Sequence, residues 1–78
     1  MIDYARVKQV MASVLEVEVS DITEDTSMDT LSAWDSLRQM NLVLALEETF
    51  GVSFPDDDAA NATSYKLIVL VLQEQLAA

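Results

Sequence analysis

The stretch SAWDSLRQMNLVLALEETFGV, Ser32 to Val52, decides the fold. Set out at about 100° per residue, the positions from Ser36 to Phe50 carry two apolar arcs where an ordinary surface helix carries one. Leu42, Val43, Leu46 and Phe50 share one arc of roughly 100°, and Leu37, Met40 and Leu44 share another centred roughly 150° away. The spacing predicts a helix over Ser36–Phe50. Asp35 is its expected N-cap, because a carboxylate there accepts from orphan backbone N–H groups and sits well against the helix dipole. Gly51, the one glycine of the chain, falls where a left-handed residue ends a helix. One arc must face a core. The other is either covered, since a central helix can be apolar all round, or open as a docking patch for other proteins, a use that suits an adaptable Met. Glu47 and Glu48 flank that second arc and would address basic residues on a partner. Ser36, at the helix start, reads on its own as an ordinary capping residue.

Outward from this helix, Ile2–Leu15 predicts another, with Tyr4, Val7, Val10, Met11 and Val14 at three- and four-residue spacing. Between the two, Glu16 to Asp35 lacks helical period and is rich in Ser, Thr and Asp, which bond their own backbone and favour turns. Val17, Val19, Ile22, Met28, Leu31 and Trp34 are its expected anchors, and Ser20 or Asp21 could cap a short turn within it. A loop of this length is uncommon in a compact domain and often functional. On the other side, Val52-Ser53-Phe54-Pro55 is an extended connector. Asp56 to Asn61 forms one or two helical turns with negative charge at the favoured end. Thr63 or Ser64 caps a last helix over Tyr65–Leu76, with Tyr65, Ile68, Val69, Leu72 and Leu76 toward the core. KLIVLVLQ alone would also suit a buried strand, but no second strand offers itself as a partner. The expected fold is all-α: a small four-helix bundle, three long helices and one short, with a long loop between helices one and two.

The chain has 78 residues, enough for one small domain with a thin stability margin. It has no cysteine and no histidine, so Ser-His and Cys-His catalysis are excluded within it, as are Cys-based metal sites. Fourteen acidic residues stand against four basic ones, for a formal charge of −10. The cations Arg6, Lys8, Arg38 and Lys66 do not cluster. Nucleic acid and anionic membrane surfaces are therefore disfavoured partners, and a protein with a basic patch is favoured. The N-terminus lacks an apolar signal region and the longest apolar run, Leu67 to Leu72, is too short for a bilayer, which needs about 20 residues. The expectation is a cytoplasmic protein, monomeric and without membrane insertion.

Trp34-Asp35-Ser36-Leu37, followed by LVLALEETFGVSFPDDD, resembles the acyl carrier protein family. The layout resembles it too: helix, long loop, D-S-L at the start of helix two, a short helix after the F-P-D connector, and a final helix. The likeness covers essentially the full chain, residues 1–78, as one acyl-carrier-like domain. It implies that Ser36 carries a 4′-phosphopantetheine arm delivered from coenzyme A by a phosphopantetheinyl transferase. The arm's thiol would hold cargo as a thioester, which explains how a chain without cysteine could serve thioester chemistry. It further implies that Asp35 helps bind the transferase and its metal ion, and that Leu37 belongs to the attachment motif. Leu37, Arg38, Met40, Asn41, Leu44, Glu47 and Glu48 would meet acyl-loading and acyl-processing enzymes through basic patches on those partners. Trp34, Met28 and Leu31 match positions around the bundle and its acyl cavity. No catalytic residue and no resident metal are implied. Arg38 and the run Gln39-Met40-Asn41 depart from the form common in fatty-acid synthesis and resemble specialised carriers serving one secondary pathway.

Three other readings bear on the same residues. An aminoacyl or peptidyl carrier would use the same serine and fold. An acidic helical interaction module without a prosthetic group would leave Ser36 as a cap only. Asp21, Asp25 and Asp29 invite a calcium loop, but Thr26 and Ser32 stand where such a loop needs Gly and a bidentate Glu.

Overall fold

In the computed structural model, which describes residues 2–77, the chain is α1 (Tyr4–Leu15), a 3₁₀ turn (Val19–Asp21), α2 (Ser36–Phe50), α3 (Asp56–Asn61) and α4 (Tyr65–Ala77). The terminal residues of the expected 1–78 domain lie outside the described range. Among the described residues no strand forms beyond a single bridge between Ser27 and Ser64, and KLIVLVLQ lies within the α4 helix. No helix among them is long and apolar enough to cross a membrane.

Local chemistry accounts for the boundaries. The first helix starts at Tyr4, two residues later than expected, because the Asp3 carboxylate accepts from the Arg6 N–H at 3.1 Å and so makes Asp3 the cap. α2 begins and ends where its sequence predicts, with Asp35 as N-cap and Gly51 left-handed at φ 67°. Ser64 caps α4, its hydroxyl accepting from Leu67 N–H at 3.2 Å, while the Thr63 carbonyl accepts from Met28 N–H. Within the loop the 3₁₀ turn is not capped by Ser20 or Asp21 from in front. Asp21 instead reaches back and accepts from Glu18 N–H at 3.1 Å.

One core joins all the elements. It is built from Val7, Met11 and Leu15 of α1, Leu42 and Leu46 of α2, Ile68 and Leu72 of α4, with Ile22, Trp34 and Phe54 from the segments between. The long loop is thus part of the core's wall. It is also tied to the α3–α4 corner by Met28 N–H to Thr63 O and Tyr65 N–H to Thr26 O. Several expected core positions prove exposed: Tyr4, Val19 and Leu76. The inward face of α1 runs Val7–Met11–Leu15, a four-residue stagger that turns Tyr4 outward, while Val10 and Val14 are half-buried. At the far end of α4, Val71 is buried and Leu76 is not.

Candidate functional site

The first turn of α2 is built by Asp35. With extended backbone (φ −111°, ψ −177°), its carboxylate accepts from Arg38 N–H at 2.9 Å and its carbonyl from Gln39 N–H at 2.9 Å. Capping therefore belongs to Asp35, and Ser36 becomes the first helical residue with its side chain exposed to solvent. A serine that performs no cap needs another explanation.

Ser36 stands on the wall of a groove of about 610 Å³ between α2, α3 and the long loop. Met28, Met40, Val43, Leu44 and Ala59 make most of its lining apolar; Asp56 and Thr63 stand at its polar margin. This brings together residues from three separate parts of the chain beside one hydroxyl.

Arg38 and Gln39, adjacent in sequence, leave the helix in different directions. The Arg38 guanidinium donates to Leu15 O at 2.7 Å and to Val14 O at 3.5 Å, and pairs with Glu16 at 3.0 Å. It closes the C-terminal end of α1, whose last carbonyls lack helical partners. Its charge is thereby drawn to the α1 side of the helix. Gln39 is buried, 5% exposed. Its amide nitrogen donates to Ala59 O and Ala62 O of the α3 segment, both at 2.9 Å. Its oxygen accepts from the indole N–H of Trp34, 2% exposed, at 2.8 Å. Among the described residues no buried side-chain polar atom lacks a partner. On the helical wheel Gln39 falls at the centre of the core arc, among Leu42, Val43 and Leu46, where its amide is the one polar group. A buried Trp five residues upstream, which needs an acceptor for its N–H, is the signal for it in the sequence.

Of the remaining positions, Leu37, Met40 and Leu44 are 70%, 67% and 58% exposed, so the second arc of α2 faces solvent. Asn41 and Glu48 are exposed beside them. Glu47 is half-buried, and one of its oxygens accepts from Phe54 N–H at 2.7 Å, fixing the connector after Gly51.

With no histidine in the sequence, Ser36 lacks the usual base that makes a serine a catalytic nucleophile. The site offers an exposed hydroxyl on a helix's first turn, next to an apolar groove. A phosphodiester fits there: the negative charge meets the helix's N–H end, and nothing in the cap must be undone to receive it.

Over residues 5–72 the chain matches the protein family described as "Phosphopantetheine attachment site". The matched segment runs from the first turn of α1 to Leu72 within α4, and takes in Ser36 and the whole groove.

Proposed function

We propose, from the premise that this chain belongs to the phosphopantetheine-attachment family of carrier proteins, that it is an acyl carrier whose arm is borne by Ser36. Members of the family are carriers and not enzymes, and their covalent group is 4′-phosphopantetheine, installed by a phosphopantetheinyl transferase. When bound, that group supplies the thiol that holds cargo as a thioester. The chain's own residues do the rest. Ser36 supplies the hydroxyl oxygen that becomes the phosphodiester. Asp35 keeps the first turn of α2 closed, so that the hydroxyl stays presented and the helix dipole stays aimed at it.

The observation that carries this reading is the transfer of the capping role to Asp35, which leaves Ser36 open on a groove lined mainly by apolar side chains. That lining favours an acyl cargo over an aminoacyl or peptidyl one, whose polar groups would go unpaired there. The exposed arc of Leu37, Met40 and Leu44, with Asn41 and Glu48 at its side, is the surface offered to partner enzymes. With Arg38 drawn toward Glu16 and Glu47 engaged on Phe54, that surface is apolar with an acidic edge. It suits partners whose docking patches are basic. The departures at Arg38 and Gln39 favour a carrier dedicated to a secondary pathway over one for bulk fatty-acid synthesis. The domain is read as working as a cytoplasmic monomer.

The test is incubation with coenzyme A and a broad-specificity transferase, read by intact mass. Ser36→Ala should abolish the mass gain. An equal gain on that variant, or none on the wild type, would sink the assignment. Met40→Glu should slow loading by partner enzymes and leave the helical circular dichroism unchanged.

A further inference from the structure

The groove beside Ser36 and the bundle core are neighbours that share one residue, Val43. Gln39 and Val43 form the groove's inner lining, while Leu42, Leu46, Ile68 and Leu72 behind them do not border it. Gln39 holds the closure. Its two N–H bonds tie it to the carbonyls of Ala59 and Ala62, across the seam between α2 and α3. Its oxygen is occupied by the buried Trp34 indole, which adds a large ring from the loop side. α3 itself is six residues long with no fully buried side chain, so little else on that helix holds the seam shut.

We propose that Gln39, wired to Trp34, determines where cargo lies. It bars a chain hanging from Ser36 from the bundle core and confines it to the outer groove, against Met28, Met40, Leu44 and Ala59. The occupant is the apolar end of the tethered cargo, brought back along the groove by the flexible arm, whose attachment point Ser36 is part of the lining. For a chain to pass inward, the Ala59 and Ala62 carbonyls and the Trp34 N–H would have to give up a common partner in an apolar setting, which strongly disfavours entry. The groove then limits the cargo to what it can shelter. Longer chains would stand out in solvent, and the carrier would discriminate by length. This rests on Ser36 as the attachment point.

The test does not need the transferase. The chain has no cysteine, so Ser36→Cys provides a unique thiol at the same place. It is coupled as a disulfide to an octyl or a methyl group with the corresponding alkyl methanethiosulfonate, and side-chain methyl resonances are compared. The octyl adduct should shift Met28, Met40, Leu44 and Ala59 relative to the methyl adduct, and should leave Leu46 and Ile68 unmoved. Adding Gln39→Ala should bring Leu46 and Ile68 into the set that shifts. Trp34→Phe, which removes the N–H but leaves a smaller aromatic ring in place, should do so at smaller amplitude and serves if Gln39→Ala does not fold. Shifts at Leu46 and Ile68 with Gln39 and Trp34 intact would overturn the proposal, as would a core that stays silent in the folded variants. Because the chain is attached chemically, a missing mass gain with coenzyme A would count against Ser36 as the biological site and leave this result standing.

Discussion

α2 is latched on two sides by two neighbouring residues, and the latches differ in kind. On the α1 side, Arg38 is a charged group at the solvent edge, 31% exposed, facing a Glu16 that is 75% exposed. On the α3 side, Gln39 is neutral and buried, with each polar atom paired. The elements they hold differ as well. α1 has Val7, Met11, Ala12 and Leu15 buried and would stay in place through that burial alone. α3 has no fully buried residue, and two of the hydrogen bonds that tie its segment to α2 come from one amide. A charge in water adds little to a seam that is already apolar. A neutral amide away from water carries a seam that has little else.

The largest effect should come from Gln39→Ala. It strands the Trp34 N–H and two carbonyls, and a buried group left unpaired costs about 1–3 kcal/mol. Since water can reach some of these once the side chain is gone, we expect a total loss of about 3 kcal/mol in urea unfolding. Amide exchange should show the Ala62 N–H, which donates to Asp58 O, losing protection by as much as the global change, through an opening of the α3 segment that stops short of unfolding. An Ala62 N–H that keeps its protection while the other helices lose theirs would mean that α3 does not depend on this latch. Trp34→Phe comes next. It leaves the Gln39 oxygen unpaired and a small cavity where the indole's second ring stood, and should cost about 2 kcal/mol.

Arg38→Ala should cost less, about 1 kcal/mol, because the Val14 and Leu15 carbonyls lie near enough to solvent to take water in place of the guanidinium. Salt separates the two latches. Raising ionic strength should reduce the Arg38 contribution, whose ion pair is screened, and leave the Gln39 contribution unchanged. A stability loss from Arg38→Ala as large as that from Gln39→Ala, and insensitive to salt, would remove the distinction.

The same pair shows what could be read from the sequence. Helices and ends were legible wherever a signal was local: the 3.6-residue period of α2, Asp35 before it, Gly51 after it, Pro55 breaking the connector. The two arcs of α2 were legible too, and the exposure of Leu37, Met40 and Leu44 agrees with the pattern. What was hidden depends on contacts between residues 20 or more positions apart. Nothing near Arg38 in sequence points to the carbonyls at Val14 and Leu15, since backbone acceptors leave no trace in residue type. The resemblance placed Arg38 among docking residues, and the fold puts its guanidinium on α1. Gln39 was half legible: its place in the core arc could be read, its partners Ala59 and Ala62 could not. Tyr4 and Leu76 were misplaced for a different reason. Leu76 lies past Leu72, the last core residue of α4, and Tyr4 lies off the Val7–Met11–Leu15 face of α1 although Ile2 before it is buried.

The smallest effect tests the Arg38 latch from its other end. Glu16 is the non-glycine residue with positive φ among those described, at φ 58° and ψ 46°. It ends α1, with its own N–H and that of Val17 donating to Ala12 O. A left-handed conformation costs an ordinary L-residue about 1–2 kcal/mol, so Glu16→Gly should relieve strain. Two losses offset that gain. Glycine's freer unfolded chain costs about 0.5–1 kcal/mol, and the exposed pair with Arg38 contributes about 0–1 kcal/mol. The net change in urea unfolding should therefore lie within about 0.5 kcal/mol of zero. A double-mutant cycle with Arg38→Ala isolates the ion pair from the strain, because backbone relief is common to both backgrounds. A coupling below about 1 kcal/mol would assign Arg38's worth to the α1 carbonyls. A larger one would make the charge the working part of the latch, and the contrast with Gln39 would then be one of screening alone.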